Sequence, residues 1–246
     1  MSYEKVAIHT HDGECPAYVF TPAGSDRHPA LIFFMDGLGI RPTIFDMGQR
    51  LADYGYVVLV PDLFYRAGPY EALDPKKVFA SGDVRGTIGH LIGSTDNRRA
   101  AEDTESFLAY LEGRDGVAGT KVGTTGYCMG GAMSLTAAGT YPDRVAAAAS
   151  FHGGNLATDS DLSPHWLAPR MAGRVYVAGA DNDDSYPPEM AARLDQALSD
   201  ADVDHRCEIY PEALHGWTMR DFPVFNEAAA ERHWDELVTL FGDTLT

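Results

Sequence analysis

Short apolar runs alternate with amphipathic stretches through most of this sequence. The candidate strands are residues 30–35, 57–60, 122–127, 145–151, 175–178 and 205–209. Between them apolar side chains recur at helical spacing, as at Phe107, Leu108 and Leu111. Parallel strands need crossover connections, and the helices in those connections cover the faces of the sheet. The pattern therefore predicts an α/β fold with a mostly parallel central sheet and helices on both faces.

The segment before the first buried strand predicts an antiparallel hairpin. Two β-prone runs, residues 6–9 and 17–20, flank the turn signal Asp12-Gly13. With 246 residues, 45% of them hydrophobic, the chain can form one sizeable core, so we expect a single domain over residues 1–246. Residues 64–96 carry five glycines and lack sustained periodicity. We expect this stretch to be irregular and to serve as a lid or pocket wall.

Charge and cysteine content exclude several function classes. The net charge of −17 repels phosphate backbones and anionic lipids, so nucleic acid and membrane are not expected as partners. No apolar run reaches 18 residues, and the start has no signal-peptide pattern, which predicts a cytoplasmic protein. Cys15, Cys128 and Cys207 show no paired spacing, so we expect reduced thiols rather than disulfides or a zinc cluster. Oligomeric state does not follow from the sequence.

The strongest local signal is a glycine-flanked cysteine between a candidate strand and a helical stretch. Residues 126–130 read Gly-Tyr-Cys-Met-Gly, the nucleophile-elbow pattern with cysteine in place of serine. On this sharp turn the residues two before and two after the nucleophile must be very small. The turn also places Cys128 at a helix N-terminus, which favours a thiolate. We interpret Cys128 as a nucleophile, the alternative being a structural cysteine in a glycine-rich turn.

A candidate acid and base follow the cysteine in the order that α/β-hydrolases use. His215 lies in a loop after the last candidate strand, from which it can reach the elbow as general base. The acid must lie between them, where the chain offers Asp181, Asp183 and Asp184. We favour Asp183, because such an acid usually stands four residues before a proline, here Pro187. Asp181, closer to the strand end, is the alternative.

Further residues are expected around the nucleophile. In this architecture the loop after strand 30–35 supplies one oxyanion-hole N–H, so Gly37 is expected to donate together with Met129. Asp36 would face the same pocket, where it accepts the thiol proton or merely caps the turn. His152 ends a candidate strand, and Trp217 follows the base. Both are candidate pocket residues, and structural capping is the alternative for His152.

These motifs make the chain resemble the dienelactone hydrolase family, a branch of the α/β-hydrolases. The similar stretches are residues 30–41, 61–66, 126–131, the region of Asp183, and 214–217. The resemblance implies an α/β-hydrolase fold, hydrolysis of a lactone or ester through an acyl-cysteine, and no metal or organic cofactor. It places nucleophile, acid and base at Cys128, Asp183 and His215. Well-known members carry glutamate where Asp36 stands, and that residue helps control thiol protonation.

The predicted reaction is attack of the Cys128 thiolate on a small-molecule ester or lactone, followed by hydrolysis of the acyl-cysteine by water that His215 activates. One alternative is a general carboxylesterase that acts on simple acyl esters. Another is a catalytically silent member that binds a small ligand or senses oxidants through its thiol. An acid and a base in matching order favour the enzyme, because a binding module needs neither.

Overall fold

One eight-stranded sheet forms the centre of the molecule. The computed structural model describes residues 3–245. The strands are β1 (Tyr3–Thr10), β2 (Gly13–Phe20), β3 (His28–Phe34), β4 (Val57–Pro61), β5 (Val117–Tyr127), β6 (Val145–Phe151), β7 (Arg174–Ala180) and β8 (His205–Tyr210). Their order in the sheet is β1-β2-β4-β3-β5-β6-β7-β8. The first two strands form an antiparallel hairpin, β2 pairs antiparallel with β4, and the remaining pairs are parallel. The predicted sheet and hairpin are confirmed.

Helices cover both faces of this sheet, as the strand pattern predicts. They are α1 (Pro42–Asp53), α2 (Pro75–Ala80), α3 (Val84–Ile92), α4 (Asn97–Glu112), α5 (Met129–Thr140), α6 (Pro188–Asp200) and α7 (Glu227–Thr244). A Cβ atom on Gly123 of β5 would lie 2.6 Å from Phe241 of α7. The next residue, Thr124, accepts a 2.9 Å hydrogen bond from Ser134 of α5. Successive strand residues point to opposite faces, so α7 and α5 lie on opposite sides of the sheet.

Strand β3 shows why the apolar runs form buried strands. Its residues from Ala30 to Phe34 are fully buried, because helices cover both faces of the sheet at this point. The strand ends at the loop that begins with Met35 and Asp36, and the parallel neighbour β5 ends beside it. Loops from several strands therefore meet at one edge, where α/β proteins place their sites.

The segment 64–96 differs from the sequence expectation. It is not irregular throughout, because it contains α2, α3 and a short 3-10 helix, Tyr65–Ala67. Asp74 and Asp83 cap the two α-helices by accepting hydrogen bonds from backbone N–H groups of Lys76 and Gly86. Helices of six and nine residues are too short to show sustained periodicity. Within residues 3–245, no helix combines the length and apolar character that crossing a bilayer requires.

Candidate active site

Cys128 occupies a strained turn between β5 and α5. The strand ends at Tyr127, the helix begins at Met129, and Cys128 between them has φ 54° and ψ −115°. Positive φ is unfavourable for a side chain of this kind and persists only where the surroundings enforce it. The backbone N–H of Cys128 donates to the Phe151 carbonyl at 3.1 Å. The half-buried thiol therefore stands at a helix N-terminus in the geometry of a nucleophile elbow.

The two glycines of the motif are required by close backbone approach. A Cβ on Gly126 would lie 1.9 Å from the carbonyl oxygen of Gly130, across the turn. A Cβ on Gly130 would lie 2.2 Å from the carbonyl oxygen of Phe34 at the end of β3. Real Cβ contacts are essentially never below 3.0 Å. The pattern that identified the elbow in the sequence is therefore a steric requirement of the fold.

His215 and Asp183 form a short hydrogen-bonded pair. The His215 Nδ1 donates to Asp183 Oδ2 at 2.6 Å, and the aspartate is almost completely buried. Ser185 donates from both its backbone N–H and its hydroxyl to Asp183 Oδ1, at 2.8 and 2.6 Å. Asp181 instead accepts from the Glu212 backbone N–H at 3.2 Å. Of the candidate acids, the structure therefore brings Asp183 to the histidine, while Asp181 caps a turn.

The charges around His215 favour its protonated form. Burial alone would lower the pKa of His215, but hydrogen bonds to Asp183 and to Cys128, together with their charges, raise it to about 10. Burial would raise the pKa of Asp183, but the hydrogen bond and charge of His215, together with the hydrogen bonds from Ser185, outweigh burial and lower that pKa. One imidazole is thus hydrogen-bonded to a carboxylate and lies within the electrostatic reach of Cys128. This is the geometry of a nucleophile, base and orienting acid.

Asp36 is held by an arginine rather than exposed to the thiol. Arg41 donates to both carboxylate oxygens of Asp36, at 2.7 and 2.8 Å, and the two side chains are each 1% exposed. The Leu38 backbone N–H donates to Asp36 Oδ1 at 2.9 Å. Arg41 also donates from Nε to Asp221 at 2.7 Å. Both Asp36 oxygens are therefore engaged in holding the turn, which favours the capping role over proton acceptance.

Two backbone N–H groups remain available near the elbow. Within residues 3–245, neither Gly37 nor Met129 donates its N–H to another protein group. Met129 is the first residue of α5, where helix N–H groups have no intrahelical partner. A Cβ on Gly37 would lie 3.3 Å from Ile92 and 3.6 Å from Ile88, so α3 covers this loop. These two donors suit an oxyanion, and α3 forms one wall beside them.

His152 and Trp217 are buried behind His215 and do not face solvent. Both side chains are fully buried. The His152 ring lies 5.3 Å from the His215 ring and 4.9 Å from Trp217, and its Nε2 is 2.8 Å from the Thr218 hydroxyl. Burial, followed by the charge of His215, lowers the pKa of His152 well below its ordinary value. The structure thus places both residues beneath the catalytic loop and does not expose either to a substrate.

Ser185 is a further residue of this site that the sequence analysis above does not name, although a signal for it is present. A serine two residues after an aspartate is a common arrangement in turns where the aspartate side chain accepts from nearby backbone N–H groups. Here that arrangement supplies two hydrogen bonds to Asp183.

Among residues 3–245 one set of side chains has the spacing of a metal site, and it lies outside the group of Cys128, Asp183 and His215. These side chains are Asp195, His205 and Cys207.

Comparisons with known proteins identify the family of this chain. Residues 15–245 match the dienelactone hydrolase family. A Synechocystis protein provisionally named a carboxymethylenebutenolidase is 26% identical over 252 residues, covering 98% of this chain and 96% of that protein. The Rhodococcus opacus carboxymethylenebutenolidase is 26% identical over 234 residues, covering 93% and 86%.

Solved structures show the same fold. A protein of Klebsiella pneumoniae subsp. pneumoniae, provisionally named a dienelactone hydrolase, superimposes with a TM-score of 0.83 at 21% identity and covers 98% of both chains. A dienelactone hydrolase-like promiscuous phosphotriesterase from metagenomic libraries superimposes with a TM-score of 0.77 at 22% identity over the whole of both chains. The chain therefore belongs to the dienelactone hydrolase family and is a hydrolase that acts on ester bonds.

Proposed function

We propose that this chain hydrolyses a small lactone or carboxylic ester through an acyl-cysteine at Cys128. One observation carries the proposal: a single imidazole, His215, is hydrogen-bonded to the buried Asp183 and stands close enough to the elbow cysteine for Cys128 to raise the pKa of the imidazole. A cysteine that served only to pack the turn would need neither partner. A cysteine thiol beside a histidine base is an activated nucleophile in enzymes of this kind.

In the proposed acylation step, the Cys128 thiolate attacks the carbonyl carbon and a C–S bond forms. The carbonyl oxygen becomes an oxyanion, which accepts hydrogen bonds from the Gly37 and Met129 N–H groups. Collapse of this intermediate breaks the C–O bond, and protonated His215 gives its proton to the departing alkoxide. With a lactone the ring opens, so the new hydroxyl stays attached to the acyl group.

In the proposed deacylation step, neutral His215 takes a proton from water as the water oxygen attacks the thioester carbon. The C–S bond breaks, the carboxylic product leaves, and the thiolate and imidazolium are restored. Asp183 holds the imidazole with Nε2 toward the sulfur and stabilises its charged form. No group beyond the chain and water is needed for this balance.

Asp36 and Arg41 hold the oxyanion loop in this proposal. Arg41 closes the turn from Asp36 through its two-pronged contact, and the same turn carries Gly37. Asp36, which is shorter than the glutamate of well-known family members, therefore acts by holding the shape of this loop. The helices of segment 64–96 act as a pocket wall, because Ile88 and Ile92 lie against Gly37. We propose that the substrate is a small ester or lactone and that the protein acts in the cytoplasm.

The test is turnover of a panel of lactones and activated esters by wild type, Cys128→Ala and Cys15→Ala. Cys15 is a fully buried thiol on β2, so it serves as the matched control. We expect Cys128→Ala to lose at least about 1,000-fold in kcat/KM, as loss of a nucleophile does in comparable sites, and Cys15→Ala to retain activity.

A second readout identifies the intermediate. His215→Gln should accumulate an acyl adduct from an activated ester, because the good leaving group needs no acid while deacylation needs a base. Peptide mass spectrometry should locate that adduct on Cys128. Equal turnover by wild type and Cys128→Ala, or an adduct on another residue, would show that the proposed mechanism is wrong.

A further inference from the structure

A second group of reactive side chains lies on helix α6 and the edge strand β8, apart from the catalytic residues. Asp195 comes from the helix, and His205 and Cys207 come from the strand. Their ligand atoms all lie within 4.8 Å of one another. We infer that these three side chains form a binding site for a zinc ion, with a water molecule as the fourth ligand.

The fold explains why the three residues meet. His205 and Cys207 are two residues apart on β8 and therefore point to the same face of the sheet. Helix α6 covers this face and anchors itself there through its fully buried residues Leu194 and Leu198. Asp195 follows the first of these anchors, which brings its carboxylate beside the strand. The cluster therefore rests on two rigid elements.

The orientation of His205 suits a metal ligand. Its Nδ1 is 2.7 Å from the Val203 carbonyl oxygen, so Nδ1 carries the hydrogen and donates it. Metal-binding histidines commonly donate their other ring N–H to a backbone carbonyl in this way. The other ring nitrogen, Nε2, lies 3.2 Å from Asp195 Oδ1. A metal ion bound between these two atoms would take the place of the proton that joins them in a His–Asp ion pair.

A buried hydroxyl beside the cluster points to the same site. The Tyr186 side chain is 2% exposed, and its hydroxyl has no hydrogen-bond partner within residues 3–245. A Cβ on Gly179 would contact both the Tyr186 ring and Ile209, so the ring lies on the face of β8 that carries Cys207. The face of the sheet that carries the cluster therefore also holds a buried hydroxyl without a partner in residues 3–245.

The donor set selects zinc over harder cations. Thiolate and imidazole ligands suit Zn²⁺, whereas Mg²⁺ and Ca²⁺ take oxygen ligands. Tetrahedral zinc bonds of ordinary length place ligand atoms about 3.4–3.7 Å apart. The Asp195 side chain is 55% exposed, so its carboxylate can rotate to close the coordination sphere. An ion bound here would fasten α6 to the edge of the sheet.

The test is zinc binding by chelator-treated full-length Cys128→Ala, a background in which the catalytic thiol cannot act as a ligand. Calorimetric titration should give one Zn²⁺ per chain. Substitution with Co²⁺ should give a thiolate-to-metal charge-transfer band, which reports a sulfur ligand directly. Adding His205→Gln or Cys207→Ser should weaken binding at least about tenfold. Zinc should raise the thermal unfolding midpoint of the background chain and not that of the Cys207→Ser chain.

His11→Gln is the matched control, because His11 and Asp12 form an exposed pair with a 3.1 Å contact and no thiol beside it. It should leave zinc affinity unchanged. Asp195→Asn, at an exposed position, keeps the test valid if a β8 variant folds poorly, and it should also weaken binding. Absence of zinc binding, absence of the charge-transfer band, or equal losses in His11→Gln and Cys207→Ser would overturn the inference.

Discussion

Replacing Gly126 with alanine should separate the activity of this protein from its stability. The new Cβ would lie 1.9 Å from the carbonyl oxygen of Gly130 and 2.3 Å from its carbonyl carbon. Both obstacles belong to the backbone in the first turn of α5, so no side-chain rotation relieves them. The first turn must move by about 1 Å, and a catalytic group displaced by that distance loses about 100-fold in rate.

The same substitution should also lower the free energy of unfolding, but not by enough to unfold the protein. Forcing one extra carbon into a packed interior typically destabilises a protein by about 1–3 kcal/mol. A domain of ordinary stability, about 5–15 kcal/mol, stays folded after that loss. We therefore expect Gly126→Ala to unfold at lower urea concentration, to remain folded in buffer, and to lose about 100-fold or more in kcat/KM.

Gly242→Ala is a control that should raise the free energy of unfolding instead of lowering it. Gly242 lies in α7, and a Cβ there would contact nothing within 4 Å. Alanine is favoured over glycine within helices, so this variant should gain about 0.4–1 kcal/mol and keep full activity. The assay is urea unfolding followed by circular dichroism, alongside initial rates on an activated ester. Gly126→Ala with wild-type turnover and stability would refute the steric argument.

Three other substitutions test the charges and hydrogen bonds of the site. Arg41→Gln should lower the free energy of unfolding in urea by about 3–5 kcal/mol, because it leaves Asp36 buried without a counter-charge; the double variant with Asp36→Asn should recover part of that loss, and a loss below 1 kcal/mol would contradict the buried ion pair. Folding raises the pKa of His215 from near 6.5 to about 10, so wild type should be more stable than His215→Gln at low pH. This difference in unfolding free energy should be complete below pH 6.5 and should disappear as pH rises through about 10. Urea unfolding at several pH values measures it, and a difference that grows with pH would contradict the assignment. Ser185→Ala removes one donor to Asp183 and should lower kcat about tenfold with little change in KM; steady-state kinetics would count against this positioning role if kcat were unchanged.

The sequence predicted the sheet well because buried strands carry their own signal. The apolar run at residues 30–35 has to be covered on both faces, and the alternation with helical stretches then fixes a parallel arrangement. The elbow was equally predictable, because Gly126 and Gly130 are demanded by backbone contacts within a few residues of Cys128. Such local requirements leave a mark in the local sequence.

Features that depend on distant partners left no such mark. Asp221 lies 180 residues after Arg41 in the sequence, and no local pattern around either residue predicts their contact. The choice between Asp181 and Asp183 depends on which carboxylate the turn after β7 directs at the histidine. The sequence also placed His152 at the correct edge, but it could not show that the side chain is buried beneath His215.

Phe222 connects the pocket wall to the catalytic loops. The ring of Phe222 packs edge-on against Phe79 of α2 with centroids 4.9 Å apart, and the Arg41 guanidinium lies 5.1 Å from its centre. Leu38, Val78 and Ile88 form a small hydrophobic cluster, separate from the main core, and Phe222 packs against both. Leu91 of α3 is buried in the main core, and burying one such side chain contributes about 1.5–3 kcal/mol, so α3 is held by the main core as well as by this small cluster. Phe222 therefore links α2 to the loop that Arg41 holds, and Leu91 ties α3 to the body of the protein, so the position of these helices depends on both contacts.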